Sequence, residues 1–490
     1  MTSEALDLAP AAPDKSDAPD HAARNRLVIN ILLVSAFVVI LNETIMNVAI
    51  PPLMASFAVT ASAAQWLTTA FLITTAVVIP VTGFLLQRLN TRPIFMTAMT
   101  LFSLGTLLAA LSPSLGVLVL ARIVQASGTA IMMPLLMTTV MTLVPPESRG
   151  RTMGNISIVM SVAPAIGPTV AGLILAILPW RWLFLLVLPI ALVALALGAR
   201  RMVNVTAPKE APLDIFSVVL SAFAFGGLVY GLSNLGLPDA PVPGWIPLVF
   251  GLALMVVFVL RQVALQRRDA PLLDMRTFSS RNFAVSVAMM AIAMMSMFGM
   301  IILLPIYLQN VLGLDTLRTG LLLLPGGLLM GLLGPWVGRL YDRLGPTPLI
   351  VFGMAVVSVV LWAMTLLGPH TSVWLILGGH LVISIGFAFL FTPLFTVSLS
   401  SLPPQYYSHG SAILGSIQQI AGAAGVALFV AIMSGRAATL GTAGTAALDA
   451  QSGGITAAFF CGAVISIFAL AAAFFIRRPA EQPDAPMMGH

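Results

Sequence analysis

The chain is dominated by apolar runs of about twenty residues, and no soluble fold can bury so many of them. One crossing of a bilayer's hydrocarbon core takes about 20 mainly apolar residues at 1.5 Å rise per residue. Fourteen segments qualify: residues 27–50, 64–86, 94–111, 115–143, 152–178, 182–197, 214–235, 245–260, 283–308, 318–338, 349–367, 373–395, 411–433 and 455–476. Only 8% of the 490 residues are charged, against about a quarter in a soluble domain. The fold class is therefore an all-α integral membrane protein with 14 transmembrane helices. A cytosolic or secreted enzyme is excluded. Cys461 is the only cysteine, which removes a disulfide framework and any zinc site of paired cysteines. The formal charge of +6 comes from arginines flanking apolar segments, so membrane lipids, and not nucleic acid, are the partners it implies.

The basic residues test the count, because cytoplasmic loops retain positive charge and external loops do not. With the N-terminus inside, nineteen of the 23 lysines and arginines fall in inside loops or tails. Arg181, Arg318 and Arg436 fall outside, and Arg122 alone lies within a span. Residues 1–26, rich in Ala, Pro and Asp, read as a disordered cytoplasmic tail, without the basic start of a signal peptide. Residues 27–201 form a first six-helix bundle, 213–263 two extra central helices and 264–282 a cytoplasmic linker. Residues 283–476 form a second six-helix bundle, and 477–490 a second cytoplasmic tail. The inside loop from about Arg261 to Asn282, with five arginines and two aspartates, reads as a solvated charge run along the membrane surface.

Glu43 is the only acid at membrane depth. An ionisable group there costs several kcal/mol unless it is paired or faces water, which marks it as functional by default and as half of a structural ion pair otherwise. Arg122 is the one base at similar depth, and each lies roughly 10 Å from its span's outer end. The two are thus expected in one layer, with Asn47 and Gln125 one turn away on their respective helices. Such a carboxyl suits a proton switch whose occupancy follows its access to water, and it suits a cationic substrate equally. His380 in span twelve and His409 at the start of span thirteen fit structural hydrogen bonds better than a proton route.

Two stretches repeat at the same point of the topology. Gly83, Arg88 and Arg92 follow span two, and Gly338, Asp342, Arg343 and Gly345 follow span ten, each set in a tight inside loop. The second matches the pattern G-x-L-x-D-R-x-G in full, while the first has Gln87 in place of the acid and Asn90 in place of the last glycine. Span one reads Leu41-Asn42-Glu43-Thr44-Ile45-Met46-Asn47-Val48-Ala49-Ile50-Pro51, span four carries Arg122-Ile123-Val124-Gln125, and span five carries Ala163-Pro164-Ala165-Ile166-Gly167-Pro168-Thr169-Val170-Ala171-Gly172. In this order, on fourteen spans, these motifs make the chain resemble the major facilitator superfamily. They resemble most closely its fourteen-span drug:proton antiporters, the EmrB/QacA group, and within it the lincomycin-resistance LmrB-type branch.

The resemblance implies two pseudo-symmetric six-helix bundles around one central site, exposed alternately to each side. It implies a multi-pass protein of the bacterial inner membrane, both termini cytoplasmic, exporting amphipathic or cationic drugs against protons. It needs no cofactor beyond the proton gradient, and an envelope adaptor protein is among the partners it suggests. Glu43 and Arg122 take the proton-coupling role. Asn42, Asn47, Gln65, Trp66, Gln125 and Gln309 become candidates for the substrate cavity. Pro164, Gly167, Pro168 and Gly172 form the antiporter segment, where small residues allow close helix packing. Gln87 implies a weakened latch on its side of the molecule. The methionines of span nine cover every side of that helix, so packing suits most of them. A dedicated exporter of one metabolite or lipid precursor fits the same residues. A membrane enzyme fits poorly, because the linker offers only Asp269 and Asp274 among arginines.

Overall fold

The computed structural model describes residues 18–205, 208, 212–235 and 242–479. These residues form helices and no strands. In chain order they are α1 (Ala18–Phe57), α2 (Ala61–Arg88), α3 (Thr91–Ala110), α4 (Leu115–Leu143), α5 (Arg149–Ile177), α6 (Trp182–Arg201) and α7 (Ile215–Ser233). They continue as α8 (Trp245–Gln266), α9 (Arg281–Ile306), α10 (Thr316–Leu344), α11 (Pro346–Met364), α12 (Val373–Ser400), α13 (Tyr407–Thr442) and α14 (Ala447–Ala473). Among the described residues fourteen helices are long and apolar enough to cross a membrane. Polar residues set several of their starts: the side chains of Thr60, Ser114, Asp214, Ser280 and Asp315 each accept a backbone N–H from the first turn of the following helix. Gly345, at φ +79°, turns the chain between α10 and α11 where a side chain would be strained.

Several helices overrun their expected spans, most of all α1, which begins at Ala18, α13, which continues to Thr442, and α14, which begins at Ala447. The expected 1–26 tail thus yields its last residues to α1, while residues 1–17 and the tail beyond 479 lie outside the described residues.

The pairing of helices repeats between the two halves. α1 packs on α5 as α9 does on α13, α2 on α4 as α10 on α12, and α3 on α6 as α11 on α14. Two seams join the halves, α5 against α10 and α2 against α13, the first being the most extensive helix contact in the molecule. α7 lies across α2 and α13 with α8 behind it, so the extra pair covers the second seam from the side.

The linker departs from the surface-lying charge run. Leu272, Leu273 and Asp274 are each 2% exposed. Gln262 of α8, fully buried, holds the turn: its Oε1 accepts from the backbone N–H groups of Leu272 (2.7 Å) and Leu273 (3.3 Å), and its Nε2 donates to Ser217 Oγ of α7 (2.9 Å). Arg276 donates to Asp274 (2.7 Å) and Asp269 (2.9 Å), and its guanidinium lies 5.6 Å from the ring centre of Tyr406, just before α13. Burying two leucines and saturating one aspartate draws this segment onto the protein.

Candidate functional site

Arg122 is 1% exposed, on the face of α4 turned to α1 and α2. Its Nη1 donates to Gln125 Oε1 (2.6 Å) and to Asn42 Oδ1 (3.3 Å), and its guanidinium stands 4.1 Å from the ring centre of Phe71 on α2. Gln125 Nε2 in turn donates to Thr106 Oγ1 of α3 at 2.8 Å. A buried charge is costly unless hydrogen bonds and polarisable faces replace water. Here α1, α2 and α4 supply neutral ones, and α3 braces Gln125. Arg122 Nε and Asn42 Nδ2 are buried donors with no acceptor in this network.

Glu43 lies near enough to Arg122 for the two charges to interact, as expected for one layer, but they do not form a direct pair. No ion pair within 4 Å joins them among the described residues. Successive helical residues lie about 100° apart, and the face of α1 turned to α4 carries Asn42. Thr44 faces α5, where a side chain at Gly167 would strike its Oγ1. Glu43, half-buried, projects between these two directions.

The other expected cavity residues scatter. Trp66 is 43% exposed and stacks on Tyr230 of α7 at 6.0 Å, which moves it from the cavity wall to the α2–α7 contact. Gln65 beside it is exposed, and Gln309 is half-buried in the wide turn Tyr307–Val311 that follows α9. The side chain of Asn47 lies outside the described residues. His380 Nε2 lies 3.0 Å from Leu323 O and ties α12 to α10, while His409 is buried at the start of α13.

At the arginine-rich ends the seams differ. The carboxylate of Asp342 accepts from the backbone N–H groups of Gly150 (2.8 Å) and Arg151 (2.9 Å), capping the start of α5 across the seam. Gly150 and Gly338 bring α5 and α10 into backbone contact beside it, and Gly154 and Gly334 repeat the approach one turn further in. On the other seam, Gln87 Nε2 donates to Gln405 O at 3.2 Å, one neutral bond in place of two charge-assisted ones. Gly83 packs on Ala412 there, with Leu273 of the linker alongside. The short 3-10 turns Pro146–Ser148 and Pro404–Tyr406 precede α5 and α13 at matching points, a second repeat. Arg92 Nη2 donates to Ala199 O (2.6 Å) and fastens α3 to α6, and Arg88 and Arg343 are exposed. Along α5, Gly167 makes its contact with α1, whereas Gly172 faces open space, so only one of the two glycines serves close packing.

Sequence reading missed a small cavity between the halves. It measures about 40 Å³, and its walls include Met160 of α5, Met294 and Met297 of α9, Met330 of α10, and Phe391 and Phe395 of α12. Ser157 and Thr392 meet there at 2.6 Å across the seam. Ser161, 7% exposed, also lines it, with a hydroxyl that has no partner. The available signal was Ser157 and Ser161, one turn apart in an apolar span just before Pro164.

The profile of the Major Facilitator Superfamily matches residues 32–426. Among curated proteins, the chain is 38% identical to the uncharacterized MFS-type transporter YcnB of Bacillus subtilis (strain 168), over 94% of this chain and 97% of that one. It is likewise 38% identical to the lincomycin resistance protein LmrB of the same organism, over 91% and 95%. Among solved structures, the human organic anion transporter MFSD10 superposes with a TM-score of 0.64 at 16% identity, covering 92% of this chain and 99% of that one. That likeness carries the fold alone.

Proposed function

The chain belongs to the major facilitator superfamily, and we propose that it is a proton-coupled exporter of amphipathic, often cationic, small molecules, a drug:proton antiporter of the EmrB/QacA kind. In this reading the arginine-rich face, with both termini, is cytoplasmic. The observation that carries it is Glu43: an intramembrane carboxyl, half-buried and free of an ion-pair partner, beside a guanidinium engaged by Asn42, Gln125 and Phe71. A carboxylate locked to Arg122 would have little reason to exchange its proton. One facing the space between the halves exchanges protons and cations with whichever side is open. Proton binding and drug binding then exclude each other, and rocking of the halves carries them in opposite directions. One elementary charge is worth about 2.3 kcal/mol per 100 mV, so one proton per neutral drug sustains a roughly fifty-fold outward gradient at that potential, whereas one-for-one exchange with a monovalent cation is electroneutral and is driven by the pH difference alone.

Lincosamides are natural first substrates, given the relative named for lincomycin resistance. The test is proton release from proteoliposomes on adding lincomycin, ethidium or a lipophilic quaternary cation. The parent releases protons and Glu43→Gln does not. Substrate-evoked release that survives in Glu43→Gln removes this carboxyl from the coupling. Binding without proton movement in the parent favours a dedicated, uncoupled carrier.

A further inference from the structure

The two halves repeat in register as well as in helix pairing. Gly83 and Gly338 each stand 23 residues after the residue that caps their helix, Thr60 for α2 and Asp315 for α10. Ser114 and Ser372 precede α4 and α12, and the 3-10 turns at Pro146 and Pro404 each begin 32 residues further on. In this register Arg122 and His380 occupy the same place, eight residues after those serines. Packing agrees. Gly128 and Gly386, six residues beyond, each approach the backbone of the neighbouring helix, α3 in one half and α11 in the other. The opposing residues correspond too: Arg122 lies over Phe71 of α2 and His380 against Gly326 of α10, each eleven residues after its helix's cap.

What surrounds the two residues differs. Arg122 has two acceptors, Asn42 and Gln125. In the second half Ile383 takes the place of Gln125. Thr44 of α1 meets Gly167 and Met295 of α9 meets Gly425, each glycine 18 residues into its helix, so Ala293 takes the place of Asn42 and Met294 that of Glu43. A permanent cation at position 380 would lack both acceptors and any carboxylate. Histidine tolerates the place because it can shed its charge. His380 Nε2 lies 3.0 Å from Leu323 O, and a carbonyl only accepts, so Nε2 carries the hydrogen. Nδ1 is buried without a partner, which in the neutral ring leaves a vacant base. The ring rests on α10 at Pro325-Gly326-Gly327, where Pro325 leaves the Leu321 carbonyl without its helical donor. Gly327 packs on Ala165 of α5, so parting of the α5–α10 seam moves the segment that holds the ring.

Among the described residues no other ionisable side chain stands at this level on the helices packed against α12. α11 carries none, Arg149, Arg151 and Arg281 start α5 and α9, and Arg339, Tyr341, Asp342 and Arg343 end α10. Tyr407 and His409 start α13, and Arg436 lies toward its outer end. Arg318, eight residues before Gly326, is exposed and paired with Asp315 at 3.2 Å, and Tyr307 after α9 donates to Gly368 O.

We propose that His380 is a second proton-binding group of the transport cycle, the titratable counterpart of Arg122. The inference rests on the export reading above and adds a stoichiometry to it. In the form closed at the arginine-rich end, Nδ1 is vacant and receives a proton from outside, roughly 10 Å from the outer end of α12. Opening of the arginine-rich face moves α10, and the ring, lacking acceptors for its charged form, releases that proton to the cytoplasm and returns to neutral. Each cycle then exchanges two protons, one at Glu43 and one at His380, for one substrate molecule. With a monovalent cation as substrate two charges enter and one leaves, so the membrane potential drives the exchange alongside the pH difference.

The test uses the purified protein in proteoliposomes, with ethidium as the monovalent cation and protein-free vesicles as the leak control. An interior-positive potential of about 100 mV, set with potassium and valinomycin at equal pH, favours two protons leaving for one ethidium entering, while passive leak of ethidium runs the other way. The parent accumulates ethidium toward a limit of roughly fifty-fold under that potential alone. An acid interior, one pH unit below the outside at zero potential, sets a limit of roughly a hundredfold for two protons and roughly tenfold for one. His380→Gln has an amide to donate to Leu323 O and no base to take a proton. Its accumulation under the potential alone falls to the leak level, and its pH-driven limit drops to roughly tenfold. Potential-driven accumulation that survives in His380→Gln overturns the second site. Loss of both drives in a His380→Gln protein that elutes as a single monodisperse peak overturns it as well, because that marks a packing role. The parent supplies a readout that needs no variant: accumulation that follows pH and ignores the potential refutes the second proton and leaves the export reading standing, whereas no accumulation under either drive refutes the export reading itself.

Discussion

Replacing Asp342 by asparagine removes one of two charge-assisted bonds that close the α5–α10 seam and cancels the charge facing the start of α5. A hydrogen bond to a charged group contributes about 1.5 to 3 kcal/mol, and a carboxylate at a helix N-terminus adds roughly 0.3 to 1 kcal/mol. The remaining amide oxygen keeps one bond, so the closed form loses about 2 kcal/mol relative to the open form, a shift of roughly thirty-fold in their ratio. Gln87 provides the internal comparison. Its single neutral bond to Gln405 O at 3.2 Å is partly exposed, and Gln87→Ala shifts the ratio by only about two- to threefold. Spin labels at Leu89 and Leu344, exposed helix-end residues on opposite halves, with Cys461→Ala as background, report the separation of the arginine-rich ends by pulsed dipolar spectroscopy. Asp342→Asn populates a longer distance, and Gln87→Ala barely changes the distribution. Equal effects of the two substitutions, or none from Asp342→Asn, would refute the assignment of the stronger latch to the α5–α10 seam.

Three further outcomes follow from the geometry. Asn42→Leu/Gln125→Leu leaves the Arg122 charge buried without its two acceptors, and thermal unfolding in detergent registers a loss on the order of 3 to 5 kcal/mol. Asp274→Asn strips Arg276 of its main partner and loosens the linker, so limited trypsin digestion cuts near Arg276 many times faster than in the parent, while Asp269→Asn, at an exposed carboxylate, changes it little. Asp214 is held down at about 2, chiefly by its hydrogen bond from Arg261. A depressed carboxylate pKa gives stability that is complete above the unfolded value near 4 and is lost as pH falls through about 2. Hydrogen exchange at the arginine-rich end of α7 should therefore be flat from pH 8 to about 5 after correction for the intrinsic rate, and any acid response of transport in that range arises elsewhere.

Span number and the arginine pattern were legible because both follow from bilayer thickness and charge, which need no tertiary information. Rotation of a helix about its own axis is different. Asn42 and Glu43 are adjacent in sequence, and only tertiary contacts, the bond from Arg122 to Asn42 and the packing of Thr44 against Gly167, show which of them faces α4. The linker misled for a related reason: its arginines suggested a solvated strip, yet Leu272 and Leu273 between them are apolar enough to be drawn inside, with Gln262 on α8 supplying the acceptor their backbone requires. Trp66 was misplaced because one side of α2 faces the added helix α7, a partner whose position no motif encodes.

The unequal seams and the added helices can be understood together. Opening the arginine-rich face requires α2 and α13 to part as well as α5 and α10. The second pair is held by Asp342, whose two bonds break together when α5 withdraws. The first lacks the acid, and there the cover of α7, the packing of Leu273 beside Gly83 and the stacking of Arg276 on Tyr406 stand in its place. Apolar contact weakens gradually with distance, whereas a short charge-assisted bond is lost within about an ångström. On the export reading, the α5–α10 seam is expected to act as a latch and the α2–α13 seam as a hinge, so that substitutions at Asp342 change how often the face opens and substitutions in the linker change how far.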